Sequence, residues 1–173
     1  SMVFVMITMA GESTKRILEV LSEKSTLTDP ENPVYEVPDG SVDFDGVSFR
    51  YSAKAERMAL SNIDLHIKSG ETIGIIGGTG SAKSTLVNLI SRLYDVTEGS
   101  VRVGGRDVRE YDIEALRSNV AVVLQKNQLF SGTIKENLRW GNEAAGDEEM
   151  EEACRLACAD EFIQGFPDKY DTY

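Results

Sequence analysis

A chain of 173 residues and 19.0 kDa can build one domain with a sizeable core and is short for two. A 41% hydrophobic and 27% charged composition, with six Phe and six Tyr, excludes general disorder and low-complexity sequence. Eighteen Lys and Arg against 29 Asp and Glu leave a formal charge of −11, a sign that repels phosphodiester backbones, so nucleic acid is not an expected partner.

Residues 2–10 form an apolar stretch about half as long as the roughly 20 residues that cross a bilayer. It reads either as the last turns of a membrane helix or as an apolar helix packed on the domain. The helical pattern continues over residues 13–23, with Ile17, Leu18 and Leu21 on one stripe. From residue 25 to 40 the texture becomes Thr, Asp and Asn with Pro30, Pro33 and Pro38, which predicts an extended linker and a domain boundary. Val42, Phe44, Val47, Phe49 and Tyr51 nearly alternate, with an interruption at Gly46, and Ile63, Leu65 and Ile67 alternate again, predicting two antiparallel strands. His66, the one histidine, falls in the second as a strand side chain.

The run at residues 72–77 is apolar on both faces and predicts a strand buried in a parallel sheet. A helix is expected from about Ser84, where Leu86, Val87, Leu89, Ile90 and Leu93 form an apolar stripe. Val101 and Val103 before Gly104-Gly105 predict a further strand and turn, and residues 120–124 a second fully buried strand. The acidic tail from Asp147 is expected to be helical. Cys154 and Cys158 match no zinc spacing and no disulfide framework, so they are expected together on one helix face in a reducing environment.

Between the buried run and the helix lies Gly77-Gly78-Thr79-Gly80-Ser81-Ala82-Lys83-Ser84-Thr85. Successive backbone N–H groups of a glycine-rich loop can wrap phosphates, and a helix N-terminus adds unpaired donors and the positive end of its dipole. Lys83 can reach the outer phosphates, and the Ser84 hydroxyl is an oxygen donor of the kind Mg²⁺ takes. Ala82 stands where the pattern G-x-x-x-x-G-K-[ST] has its second glycine, a substitution that costs about 1 kcal/mol or more if the position needs positive φ. The base-reading Asn-Lys-x-Asp of GTPases is absent.

With Val47-Ser48-Phe49-Arg50-Tyr51, Gly70-Glu71, Leu124-Gln125 and the segment Leu129 to Leu138, this loop makes the chain resemble the nucleotide-binding domain of exporter-type ABC transporters. The resemblance implies an α/β fold: an incomplete P-loop NTPase (RecA-like) core with an antiparallel β subdomain and the start of a helical subdomain. It implies ATP and Mg²⁺ as ligands. Tyr51 would stack on adenine, and Gly78, Thr79, Gly80, Ser81, Ala82, Lys83, Ser84 and Thr85 would hold the phosphates. Ser84 and Gln125 would serve the metal, and Lys83 and Gln125 the reaction. Taken alone, Gln125 is simply a polar residue after a strand. The implied organisation is the end of a transmembrane helix and a connecting helix at 1–24, a linker at 25–40 and a partial nucleotide-binding domain at 41–173. Phe130 and residues 131–138 resemble the surface that meets the transmembrane part. The implied partners are that transmembrane domain, a second nucleotide-binding domain and, through the parent protein, the membrane at its cytoplasmic face.

The signature Leu-Ser-Gly-Gly-Gln, the Walker B strand with its glutamate and the switch histidine do not occur in these 173 residues. Three expectations follow: the ATP-binding portion of an ATP-driven exporter, a nucleotide-binding module without hydrolysis, or a folding fragment without a ligand.

Overall fold

The computed structural model describes residues 2–173, and within the first helix the side chains of residue 6 and of residues 8 onward. The expected apolar patch at residues 2–10 therefore lies partly outside the described side chains. The chain forms two compact units, Ser1–Ala121 and Val122–Tyr173.

The first unit contains helix α1 (Met2–Ser22) and strands β1 (Val42–Phe49) and β2 (Leu60–Ile67), followed by helix α2 (Lys83–Ile90). Strands β3 (Glu98–Val103) and β4 (Arg106–Asp107), a 3₁₀ turn at Val108–Glu110 and helix α3 (Ile113–Ser118) complete it. The four strands form one sheet in the order β2-β1-β3-β4, every pairing antiparallel. Phe44 faces Leu65 on one side and Val101 on the other, and Val47 faces Ile63.

The interruption at Gly46 is a β-bulge. One extra residue shifts the parity of β1, so that Phe44 and Val47, an odd number of positions apart, are both fully buried. Gly99 of β3 lies against this bulge with φ +80°, and a Cβ there would come 2.4 Å from the Asp45 carbonyl oxygen. The core gathers Phe44, Val47 and Val101 from the sheet, Leu86 and Leu89 from α2, and Tyr111 and Leu116. The buried Tyr111 hydroxyl donates to the Val103 carbonyl at 2.8 Å.

The proline-containing segment has no regular structure, yet much of it is docked. Val34 bridges Tyr111: its N–H donates to the Glu110 carbonyl (3.0 Å) and its carbonyl accepts from the Asp112 N–H (2.9 Å). Val34 and Val37 pack on the core, the Asp29 carboxylate accepts the Ile113 N–H, and the buried Arg92 donates to the Thr28 carbonyl at 3.1 Å.

Two predicted strands are not strands. Residues 72–77 and 120–124 carry no ladder, with Ile76 99% and Val123 90% exposed. A residue run that is apolar on both faces requires neighbours on both faces and both edges, and among the described residues no segment pairs with either run. The stripe of α1 is likewise uncovered, with Ile17, Leu18 and Leu21 exposed. Among the described residues no helix is long and apolar enough to cross a membrane.

The second unit holds helices α4 (Ile134–Arg139), α5 (Asp147–Leu156) and α6 (Asp160–Gln164) and a 3₁₀ turn at Lys169–Asp171. A capping box opens α4: the Thr133 hydroxyl accepts the Glu136 N–H at 3.1 Å and the Glu136 carboxylate accepts the Thr133 N–H at 2.8 Å. Cys154, Ile163 and Tyr170 form the small core. The cysteine expectation is corrected here: Cys154 is buried on α5, whereas Cys158 lies past the helix end, exposed and at φ 57°. Helix α5 stops at Leu156, so the i,i+4 argument no longer applies.

Asp147 at the start of α5 pairs with Lys135 (2.6 Å) and Arg139 (2.9 Å), and the Asp160 carboxylate accepts the Tyr170 hydroxyl at 2.7 Å. The Lys135 hydrogen bond holds the Asp147 carboxyl below its usual range, and the Tyr170 hydroxyl, with the Gln164 amide second, does the same for Asp160.

Two predictions follow from this packing. Gly99→Ala adds a methyl against a backbone oxygen at a left-handed φ and is expected to cost about 2 kcal/mol or more in stability, read as a lowered denaturant midpoint at unchanged m. A carboxyl whose folded pKa is depressed stabilises above its unfolded value and loses that contribution as the pH falls towards the folded one. The melting temperature of Asp160→Asn should therefore lie below that of the unsubstituted protein near pH 7, and the gap should close as the pH falls below the lowered pKa of the folded-state carboxyl. A gap that persists in acid would contradict the pairing.

Candidate functional site

Helix α2 begins without a side-chain cap and without an acidic residue in its first turn. Its first N–H groups are therefore orphan donors at the positive end of the helix dipole. The preceding loop turns through a Ser81 N–H to Gly78 carbonyl bond of 3.3 Å and enters the helix at Ala82, the N-cap, with φ 60° and ψ 21°. This is the left-handed conformation for which the sequence pattern has glycine, so Ala82 does bear the strain that was conditional in the sequence. The Ala82 methyl also packs at the margin of the core, which offsets part of that strain.

Lys83 folds back over the loop. Its Nζ donates to the Gly77 carbonyl (2.6 Å), the Gly78 carbonyl (2.8 Å) and the Ser81 hydroxyl (3.2 Å). A Cβ on Gly77 would come 2.6 Å from the Ser81 hydroxyl oxygen, so this position needs glycine for the close approach. Among the described residues the ammonium is held by neutral acceptors only, and an anion at the loop would replace them with charge-assisted bonds. Ser84 is exposed and among the described residues its hydroxyl makes no hydrogen bond, leaving an oxygen donor free to meet a hard cation. Thr85, one residue on, is 5% exposed.

Tyr51, just past β1, is brought to this helix: its hydroxyl lies 2.7 Å from the Thr85 Oγ1. Its ring meets Phe49 at 4.9 Å and 79° and Tyr94 at 5.2 Å and 88°, both edge-type contacts, and among the described residues no aromatic ring stacks parallel on it. The ring borders a groove of about 570 Å³ between residues 23–27, the end of β1 and residues 93–95. The sequence reading placed neither Phe49 nor Tyr94 in the site. Its one available signal was an aromatic residue directly after the apolar stripe of α2.

Gln125 lies in the second unit, in an exposed irregular stretch. Phe130 and Trp140, also in that unit, stack at 4.8 Å and 24°, with the Asn137 side chain bonded to both the N–H and the carbonyl of Phe130.

The family model described as "ABC transporter" matches residues 60–170, from β2 through the loop and α2 into the 3₁₀ turn at Lys169–Asp171. The chain belongs to the ABC transporter family. It is 42% identical over 157 residues to a multidrug efflux ATP-binding/permease protein of Mycobacterium tuberculosis, covering 91% of this chain and 13% of that protein. It is 38% identical over 165 residues to an uncharacterized ABC transporter ATP-binding protein of Bacillus subtilis, covering 95% of this chain and 27% of that one. Among solved structures, a bacterial Atm1-family ABC exporter with ATP bound matches 99% of this chain and 30% of its own, with a TM-score of 0.87 and 30% identity. The chain thus corresponds to part of an exporter-type ABC nucleotide-binding domain, and the incomplete P-loop core with its antiparallel sheet fits that assignment.

In this ABC chain Ala82→Gly relieves about 1 kcal/mol of backbone strain but removes a partly buried methyl and loosens the unfolded chain. The terms nearly cancel, so the unfolding free energy should move by less than about 1 kcal/mol. A larger loss in chemical denaturation would show that the methyl packing dominates.

Proposed function

We propose that this chain is the ATP-binding portion of an exporter that couples ATP hydrolysis to transport, with residues 77–85 on the phosphates and Tyr51 on the adenine. The observation that carries this reading is the uncapped start of α2: orphan donors, the Lys83 ammonium held only by neutral acceptors and the Tyr51 ring all belong to one short stretch of structure. The ATP-bound exporter that the chain resembles supports it.

In this reading Lys83 exchanges the Gly77 and Gly78 carbonyls for phosphate oxygens, and the amides of Gly78, Thr79, Gly80, Ser81, Ala82, Ser84 and Thr85 supply fixed dipoles. Ser84 would hold Mg²⁺, a role that its exposed hydroxyl fits, and Gln125 would serve the metal and the attacking water. Mg²⁺, when bound, neutralises charge on the phosphate oxygens.

Residues 1–24 are the cytosolic end of a transmembrane helix and its connecting helix, which accounts for the uncovered stripe of α1. Residues 25–40 are the linker, and 41–173 the nucleotide-binding portion. The partners are a transmembrane domain and a second nucleotide-binding domain at the cytoplasmic face of the membrane. The exposed apolar runs 72–77 and 120–124 find their neighbours in the sheet of the longer protein.

A narrower reading applies to the 173 residues by themselves: binding without turnover. Among the described residues no carboxylate bonds or pairs with the loop, and a positioned general base is typically worth about 10² to 10⁴ in rate.

Titration calorimetry with Mg-ATP tests the site. The chain should bind, and Lys83→Ala should bind at least about tenfold more weakly, because a charge-assisted contact is worth roughly 1.5–3 kcal/mol. Equal affinity for both proteins would remove the site assignment. Phosphate release at saturating Mg-ATP should show no Lys83-dependent turnover.

A further inference from the structure

Thr85 is a buried residue, and among the described residues the one hydrogen-bond partner of its hydroxyl is the hydroxyl of Tyr51, 34 positions earlier in the chain and 2.7 Å away. Buried hydroxyls are nearly always paired, and losing the partner costs the desolvation of the one left behind. The bond therefore ties the two groups from both sides. Tyr51 is otherwise held by its near-perpendicular contacts with Phe49, which is 2% exposed, and Tyr94, and the residue keeps 57% of its surface open. Two edge contacts limit where the ring sits. A third point at the phenol oxygen is needed to fix its tilt.

That third point is on α2, the same helix whose first turn faces the loop. We propose that Thr85 is a positioning residue for base recognition: through its hydroxyl it fixes the Tyr51 ring to the helix that presents the phosphate donors. The inference rests on the reading that Tyr51 meets the base. It divides Thr85 between two tasks. The backbone N–H belongs to the orphan donors of the first turn, and the side chain holds the aromatic surface at a set distance from them. A base and a triphosphate are then read by one rigid piece, so ordering the ring is not charged against binding.

The test compares Mg-ATP with inorganic triphosphate, which has the phosphates and no base, by titration calorimetry on the full chain. Thr85→Val and Tyr51→Phe each remove one end of the bond. Each should lower the ratio of ATP affinity to triphosphate affinity by roughly three- to tenfold, the range for one lost hydrogen bond. The double variant should fall no further than either single one, because both remove the same contact. Thr85→Ser keeps the hydroxyl and should restore the ratio, which a loss of packing alone would not do. A ratio unchanged or raised in Thr85→Val, or losses that multiply in the double variant, would overturn the inference while the nucleotide reading stands. Failure of the unsubstituted chain to bind Mg-ATP would remove both.

Discussion

Burial of Leu86 and Leu89 from α2 in one core with Phe44, Val47 and Val101 is the constraint on which the rest of the first unit depends. The helix is only eight residues long, too short to hold itself in water. Its stability comes from this packing, at about 1.5–3 kcal/mol for each fully buried leucine. Because the helix is pinned, its first turn stands at a fixed place relative to the end of β1, and Tyr51 can reach Thr85. The bulge opposite Gly99 serves the same end, since it brings Phe44 and Val47 onto the same buried side.

The other end of α2 is secured by arginines. The Arg117 guanidinium donates to the Ser91 and Arg92 carbonyls at 3.1 and 2.8 Å, satisfying acceptors where the helix runs out. Arg92, at φ 48° and nearly fully buried, pairs with Asp95 and reaches the Thr28 carbonyl. Such a bond between a charged donor and a backbone carbonyl, together with the Val34 bridge, holds residues 28–37 against the folded unit. The C-terminal end of α2 is in this way joined to the segment that leads back to α1.

Ala82 shows how a glycine-rich loop tolerates a residue with a Cβ at a left-handed position. The left-handed N-cap costs about 1 kcal/mol for a residue with a Cβ, but the same Cβ packs beside the core. The loop therefore keeps its shape without the glycine that its pattern contains, and the Lys83 bonds to Gly77 and Gly78 hold it from the inside.

Much of the fold was legible in the residues. The alternation of β1 and β2, the break at Gly46, the start of α2 at Lys83-Ser84, the strand before Gly104-Gly105 and the acidic helix from Asp147 are all local signals, read within a few residues of one another. The glycine-rich loop before α2, and Ala82 as the position where a positive φ would be costly, were legible for the same reason: a backbone conformation and the residue that must adopt it occupy one position. What only the tertiary structure decided involves partners far apart in the chain. Residues 72–77 and 120–124 have the composition of buried strands, but a strand exists only with a paired neighbour, and none of the described residues supplies one. Proline and polar residues at 25–40 predict an extended linker, but not that Val34 meets Glu110 and Asp112 or that Thr28 meets Arg92. The tie between Tyr51 and Thr85 belongs to this second class, because periodicity shows which side of an element is buried, whereas only three-dimensional packing determines which hydroxyl lies there to meet it.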